Sequence, residues 1–134
     1  MAGTRIRDFL HNTRGTATVE TVLWFPMFMF IFGLMVDVAM IFHGQAKVLR
    51  IVQDSNRQYS IGNLADETAT ETFVETQLAA VNIVGVATTT EIAGVAHTSV
   101  IVGANQLQVI GFFTTFNNLN LNISAEHMIE NWEA

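Results

Sequence analysis

From Thr21 to Phe42 the chain reads TVLWFPMFMFIFGLMVDVAMIF, and nothing else in its 134 residues limits the fold as much. An α-helix of that length rises about 33 Å, which matches a bilayer hydrocarbon core of roughly 30 Å. A core helix in a small soluble domain would keep a polar face, and between Val22 and Val36 there is none. The run therefore reads as a membrane-spanning helix over about residues 21–42. Composition agrees, because the chain is 50 % hydrophobic and only 13 % charged. A soluble domain carries about 25 % charged residues, and a disordered acidic chain carries many charges and few apolar groups. The absence of cysteine removes disulfide frameworks, thiolate catalysis, zinc knuckles and a lipid-modified cysteine anchor together.

Charge is sorted along the chain. Arg5, Arg7 and Arg14 stand against Asp8 before the apolar run, and Lys47, Arg50 and Arg57 balance Glu20, Asp37 and Asp54 within and after it. Beyond Arg57 there are only acids, namely Asp66, Glu67, Glu71, Glu75, Glu91, Glu126, Glu130 and Glu133, so the formal charge is −6. A nucleic-acid binder would need a basic stripe to neutralise phosphates, and this chain offers none.

Two residues inside the run are unusual. Pro26 lacks an N–H and clashes with the carbonyl of Val22, which predicts a helix kink. Asp37 puts a carboxyl inside the outer end of the run, where it must reach the headgroups or meet a cation or donor on a neighbouring membrane subunit. Basic residues flank the run almost equally, so they leave its orientation nearly tied. A secretory signal peptide would have a shorter apolar region, and the nearest small-x-small cleavage site is the late Gly44-Gln45-Ala46.

The string Arg14-Gly15-Thr16-Ala17-Thr18-Val19-Glu20 directly precedes the run. A basic leader ending in Gly, then small or apolar residues, then Glu at the head of an apolar helix is the pattern cut by prepilin peptidases. Gly15 supplies an unhindered, extended residue before the cut, and cleavage would leave Thr16 as the new amino terminus. Glu20 would then be the fifth mature residue. Buried in an assembly, its carboxylate needs a partner such as the amino terminus of an adjacent subunit, or it caps the membrane helix at the interface.

With Gly15, Glu20, Pro26, Gly33 and Asp37 in that order, the segment RGTATVETVLWFPMFMFIFGLMVDVAMIF resembles the TadE-like family of minor pilins and pseudopilins in tight-adherence (Tad) pilus systems. Thr21 stands where that family usually has Phe, and Asp37 where Glu is commoner. The resemblance implies a substrate of prepilin peptidase, with other pilins or pseudopilins, the Tad inner-membrane assembly platform and the lipid bilayer as partners. It also implies a cytoplasmic N-terminus and a periplasmic or extracellular C-terminal part.

Past the membrane, Val48, Ile51, Val52, Ser55 and Tyr59 recur at helical spacing, so the helix is expected to continue to about Tyr59 as a stalk, with Gly44 a weak point and Gly62 a stop. Thr68-x-x-Glu71 and Thr72-x-x-Glu75 both fit a capping box, and a short amphipathic helix is expected from about Asp66 to Val81, its face lined by Val74, Leu78 and Val81. The Asp66, Glu67, Glu71 and Glu75 cluster reads as a solvated face rather than a metal site. Val, Ile, Thr and Phe then predict strands at Ile83 to Ile92, Val95 to Val102, Gln106 to Phe113 and Leu119 to Ile129, with a turn at Gly103-Ala104-Asn105.

The expected fold is α+β: a long membrane and stalk helix, a short amphipathic helix, and an antiparallel sheet of three to four strands. Its parts are a basic leader at 1–15, the helix at 16–59 and an exported domain at 60–134. His11, His43, His97 and His127 are scattered, although His97 and His127 could meet across two strands, and no nucleotide-binding or hydrolase motif appears. Neither enzymatic activity, a metal, a cofactor nor a small-molecule substrate is expected. The leading function is a non-enzymatic minor pilin or pseudopilin of Tad pilus assembly and surface adhesion. The alternative is an uncleaved single-pass inner-membrane adaptor of a secretion or envelope complex.

Overall fold

The computed structural model describes residues 14–111 and 119–130, with side chains from residue 18 onward. The basic leader before Arg14, His11, and the end of the candidate strand at Phe112 and Phe113 lie outside the described residues. The elements are helix α1 (Arg14–Ser60), helix α2 (Glu67–Ala80), and strands β1 (Gly85–Ile92), β2 (Val95–Gly103) and β3 (Asn120–Met128), with a 3-10 turn at Ala104–Gln106. The architecture is α+β. The chain divides into two compact units, one ending at Met35 and one beginning at Val36.

In the first unit the helix buries almost nothing. Val22, Leu23, Phe25, Phe28, Phe30 and Phe32 are all exposed, a surface far more apolar than a soluble monomer keeps bare. Within the helix from Thr18 to Ser60 the most apolar stretch has a mean hydropathy of 2.2 and is 11 % buried, which is compatible with a single-pass membrane anchor. The helix is continuous through Pro26.

The second unit has a core. From Val36 on, α1 buries Asp37, Val48, Val52, Ser55, Asn56 and Ser60, residues that fall on one side of a helix of 3.6 residues per turn. Against Val48 and Val52 pack Val74 and Leu78 of α2 and Ala87, Val100, Val102 and Ile123 of the sheet, with Ile83 and Leu107 completing the cluster. Val81, expected on that face, is exposed.

Both helices end in the same way. Gly62 at φ +79° follows α1, and the N–H groups of Gly62 and Asn63 bond to the carbonyls of Tyr59 and Gln58. Asn82 at φ +59° follows α2, and Asn82 and Ile83 bond to Ala79 and Leu78. Each is a Schellman cap, which satisfies carbonyls that the helix leaves open. At the start of α2 the cap is Asp66, whose Oδ1 accepts from the Ala69 N–H at 2.6 Å. The two expected capping boxes do not form, since the Thr68 carbonyl accepts the Thr72 hydroxyl and Glu71 and Glu75 reach elsewhere.

Their destination is the sheet edge. The sheet is an antiparallel meander in the order β1-β2-β3, so β1 has one side unpaired by strand. Glu67 accepts the N–H of Glu91 at 2.8 Å, Glu71 that of Thr89 at 2.8 Å and Glu75 that of Ala87 at 3.2 Å. The match is metric: four helical residues rise about 6 Å and two strand residues about 6.7 Å. The acidic cluster is thus more than a solvated face, because three of its carboxylates cover the edge N–H groups that would otherwise template another strand.

β1 and β2 join through Ala93 and Gly94, at φ +53° and +75°. Two positive φ values are what a two-residue type I′ hairpin needs to follow the twist of its strands. Between the sheet and α1 runs a buried polar thread. Thr89 and Thr98 share a hydroxyl bond of 2.9 Å, Thr98 also bonds Asn56 Oδ1, and Asn56 Nδ2 donates to the Ala125 carbonyl at 2.8 Å.

The expected strand from Gln106 to Phe113 is not a strand over its described part. Gln106 instead spends its amide on Val84, accepting the N–H at 2.7 Å and donating to the carbonyl at 2.9 Å. Leu107 is buried against Gly44, where an added β-carbon would sit 2.7 Å from Leu107 Cδ2. The N–H groups of Val109 and Ile110 turn to a side chain rather than to a ladder. Gly44, expected as a weak point, is therefore a site of close approach.

Three outcomes follow from this architecture. Ala93→Asn creates the Asn-Gly pair that suits a type I′ turn and should raise stability by roughly 1 kcal/mol; an unchanged or lower denaturation midpoint would contradict the strained-alanine account. Asn56→Ala leaves the Ala125 carbonyl without its donor and should cost roughly 1–3 kcal/mol in the same assay. Burial, helped by the hydrogen bond to Glu91 and by the charges of Glu91, Glu67 and Asp66, pushes the Tyr59 phenol up from 10.0 to about 12. Between those values the unfolded chain has lost the proton and the folded chain keeps it, so stability falls as pH rises through this window. Tyr59 is the single tyrosine, so phenolate absorbance reads it directly, and a midpoint near 10 in the folded chain would refute the assignment.

Candidate functional site on the long helix

The residues singled out by the sequence lie along α1 in two different settings. Gly15 and Thr16 fall in its first turn. Their backbone is helical here, and the N–H groups of a helix's first turn have no intrahelical partner, which leaves that turn easy to open. Glu20 is exposed. It shares a shallow hollow with Thr21, Trp24, Phe25 and Phe28, as residues four apart on one helical row must. Trp24 and Phe28 tilt against each other with ring centroids 6.4 Å apart. Glu20 thereby sits as a carboxylate at the head of an aromatic strip.

Asp37 is in the opposite situation. Its residue surface is fully buried, and Oδ1 accepts two backbone N–H groups, from Val109 at 3.1 Å and from Ile110 at 2.7 Å. The sequence reading looked for its partner in the headgroups or on another subunit, whereas these donors belong to its own chain. A carboxylate that accepts backbone N–H groups is stabilised by charge-assisted hydrogen bonds. No single-sequence signal pairs positions so far apart, and Val109 and Ile110 were hidden inside the expected strand.

Among the described residues the histidines form no site. His97 faces Glu126 across β2 and β3 at 4.0 Å, an exposed pair of little energetic weight. His127 is opposite Ala96 and on the other face of the sheet, so His97 and His127 do not meet. Among the described residues no group of His, Asp or Glu could hold a metal ion.

No curated protein and no solved structure matches the chain. The family of TadE-like proteins matches residues 15–57, the stretch that contains Gly15, Glu20, Pro26, Gly33 and Asp37, so over most of its long helix the chain is similar to that family.

Proposed function

We propose that this chain is a non-enzymatic minor pilin or pseudopilin that takes part in Tad pilus assembly and surface adhesion. The observation that carries the reading is the largely exposed apolar helix from Val19 to Met35, headed by exposed Glu20 in a segment that matches the TadE-like family. An apolar helix left this exposed requires lipid or other apolar helices around it, and a pilin passes from the first to the second on assembly. Prepilin peptidase cuts between Gly15 and Thr16 from the cytoplasmic side after the first turn opens. The new amino terminus is then one helical turn from Glu20, within reach of the same carboxylate on a neighbouring subunit. Pro26 loosens the helix between the pairing residue and the domain-bearing half. The domain from about residue 60 lies in the periplasm, and the whole is held by a single pass through the inner membrane.

N-terminal sequencing of the protein extracted from cells with an active prepilin peptidase tests the cut. A chain starting at Thr16 is expected, and one that keeps its leader and stays in the membrane would instead be the single-pass adaptor. Glu20→Ala should leave membrane insertion intact and reduce piliation sharply. Normal pili in that variant would remove the pairing role.

A further inference from the structure

We propose that the loop from Leu107 to Gly111 is a second membrane contact, its tip seated in the acyl boundary beside the helix and held there by Asp37. The proposal rests on the membrane-anchored reading above and adds a lipid-facing surface to the folded domain.

Depth is the first argument. Asp37 precedes the end of the apolar run, Phe42, by five residues, which is about 7.5 Å along the helix axis. The N–H groups of Val109 and Ile110 are within hydrogen-bond distance of that carboxylate, so the loop tip reaches the same level. Interfacial segments bury their apolar face about 5–10 Å into the headgroup and acyl boundary, and this depth falls in that range.

The side chains supply the second argument. While its N–H groups turn inward, the loop leaves Val109 65 % and Ile110 53 % exposed. Val36 and Met40, on the helix at that level, are also exposed. Two adjacent exposed aliphatic side chains at the level of exposed Val36 and Met40 give that level the apolar surface a lipid contact needs.

The third argument is backbone chemistry. Irregular backbone at membrane depth is tolerated only where its polar groups are satisfied, and a carboxylate there is tolerated only where it has donors. Asp37 and the N–H groups of Val109 and Ile110 satisfy one another in this way. Leu107 on Gly44 brings the loop against the helix closely enough for this to happen.

The chain contains no cysteine, so Val109→Cys, Ile110→Cys, Phe30→Cys and Thr88→Cys each place one environment-sensitive fluorophore. The full chain is reconstituted in phosphatidylcholine and phosphatidylglycerol vesicles containing lipid with an acyl-chain nitroxide. Fluorophores at 109 and 110 should be quenched several-fold more than at Thr88, with blue-shifted emission, at every protein-to-lipid ratio. Quenching at Phe30 with aqueous emission at 109 and 110 would overturn this inference alone. Aqueous emission at Phe30 as well would overturn the membrane-anchored reading beneath it. Blue-shifted, unquenched emission at 109 and 110 that fades on lipid dilution would show a second copy covering the loop, and would also overturn the proposal. In the Val109→Cys background, Asp37→Leu should lower quenching towards the Thr88 value while Asp37→Asn, which keeps an acceptor oxygen, largely preserves it. Equal quenching in all three would remove Asp37 from the role assigned to it.

Discussion

A carboxylate cut off from water has to be given hydrogen-bond donors, and Asp37 obtains two from the backbone of a loop more than seventy residues away in sequence. Much of the second unit is arranged around that requirement. The chain leaving β2 cannot run straight back as a fourth strand, because Val109 and Ile110 must turn their N–H groups towards α1. The 3-10 turn at Ala104–Gln106 begins the diversion, and Gly44 provides the groove for Leu107 that lets the loop lie close. The Ala104 N–H then bonds the Leu119 carbonyl, which ties the start of β3 to the end of β2.

The same rule, that buried or edge polar groups must be paired, fixes the register elsewhere. A helix packed on a sheet by Val48, Val52, Val74 and Leu78 alone could slide with little penalty. Asn56 prevents this, since its amide reaches Thr98 on β2 and the Ala125 carbonyl on β3, and a shift of one turn would strand both. At the β1 edge, the three glutamates of α2 match alternate N–H groups of β1 and pin that helix in the same manner.

Periodicity and composition made the elements legible. The apolar run and the stripe through Val48, Val52 and Ser55 specify one long helix, and alternation around Leu121, Ile123 and Ala125 specifies β3. Gly62 and its hydrogen bonds stop α1 where expected. What periodicity could not supply was the destination of polar side chains. Thr68-x-x-Glu71 has the spacing of a capping box, yet Asp66 holds the capping position and the glutamate accepts the Thr89 N–H at the edge of β1. Gln106 to Gly111 has strand-like composition, but its backbone donors and the Gln106 amide are claimed by Asp37 and Val84. The sequence places Glu20 and Asp37 on one helix, as α1 does, with Gly15 ahead of it in the leader, and does not indicate that Asp37 serves its own chain.

The acidic excess beyond Arg57 acquires a different meaning in this light. A run of acids with no Lys or Arg after Arg57 reads first as a solvated face. Yet Asp66 caps α2, Glu67, Glu71 and Glu75 hold the β1 edge, and Glu91 accepts the Tyr59 hydroxyl at 2.9 Å. Backbone N–H groups and a phenol are neutral donors, so these carboxylates are satisfied with their negative charge uncancelled. An edge strand covered by carboxylates rather than by another strand stays closed to β-pairing while remaining wet and anionic. That suits a domain carried on an apolar helix, because it leaves apolar contact to the helix and the Leu107–Gly111 loop and keeps the sheet from joining neighbours through its β1 edge.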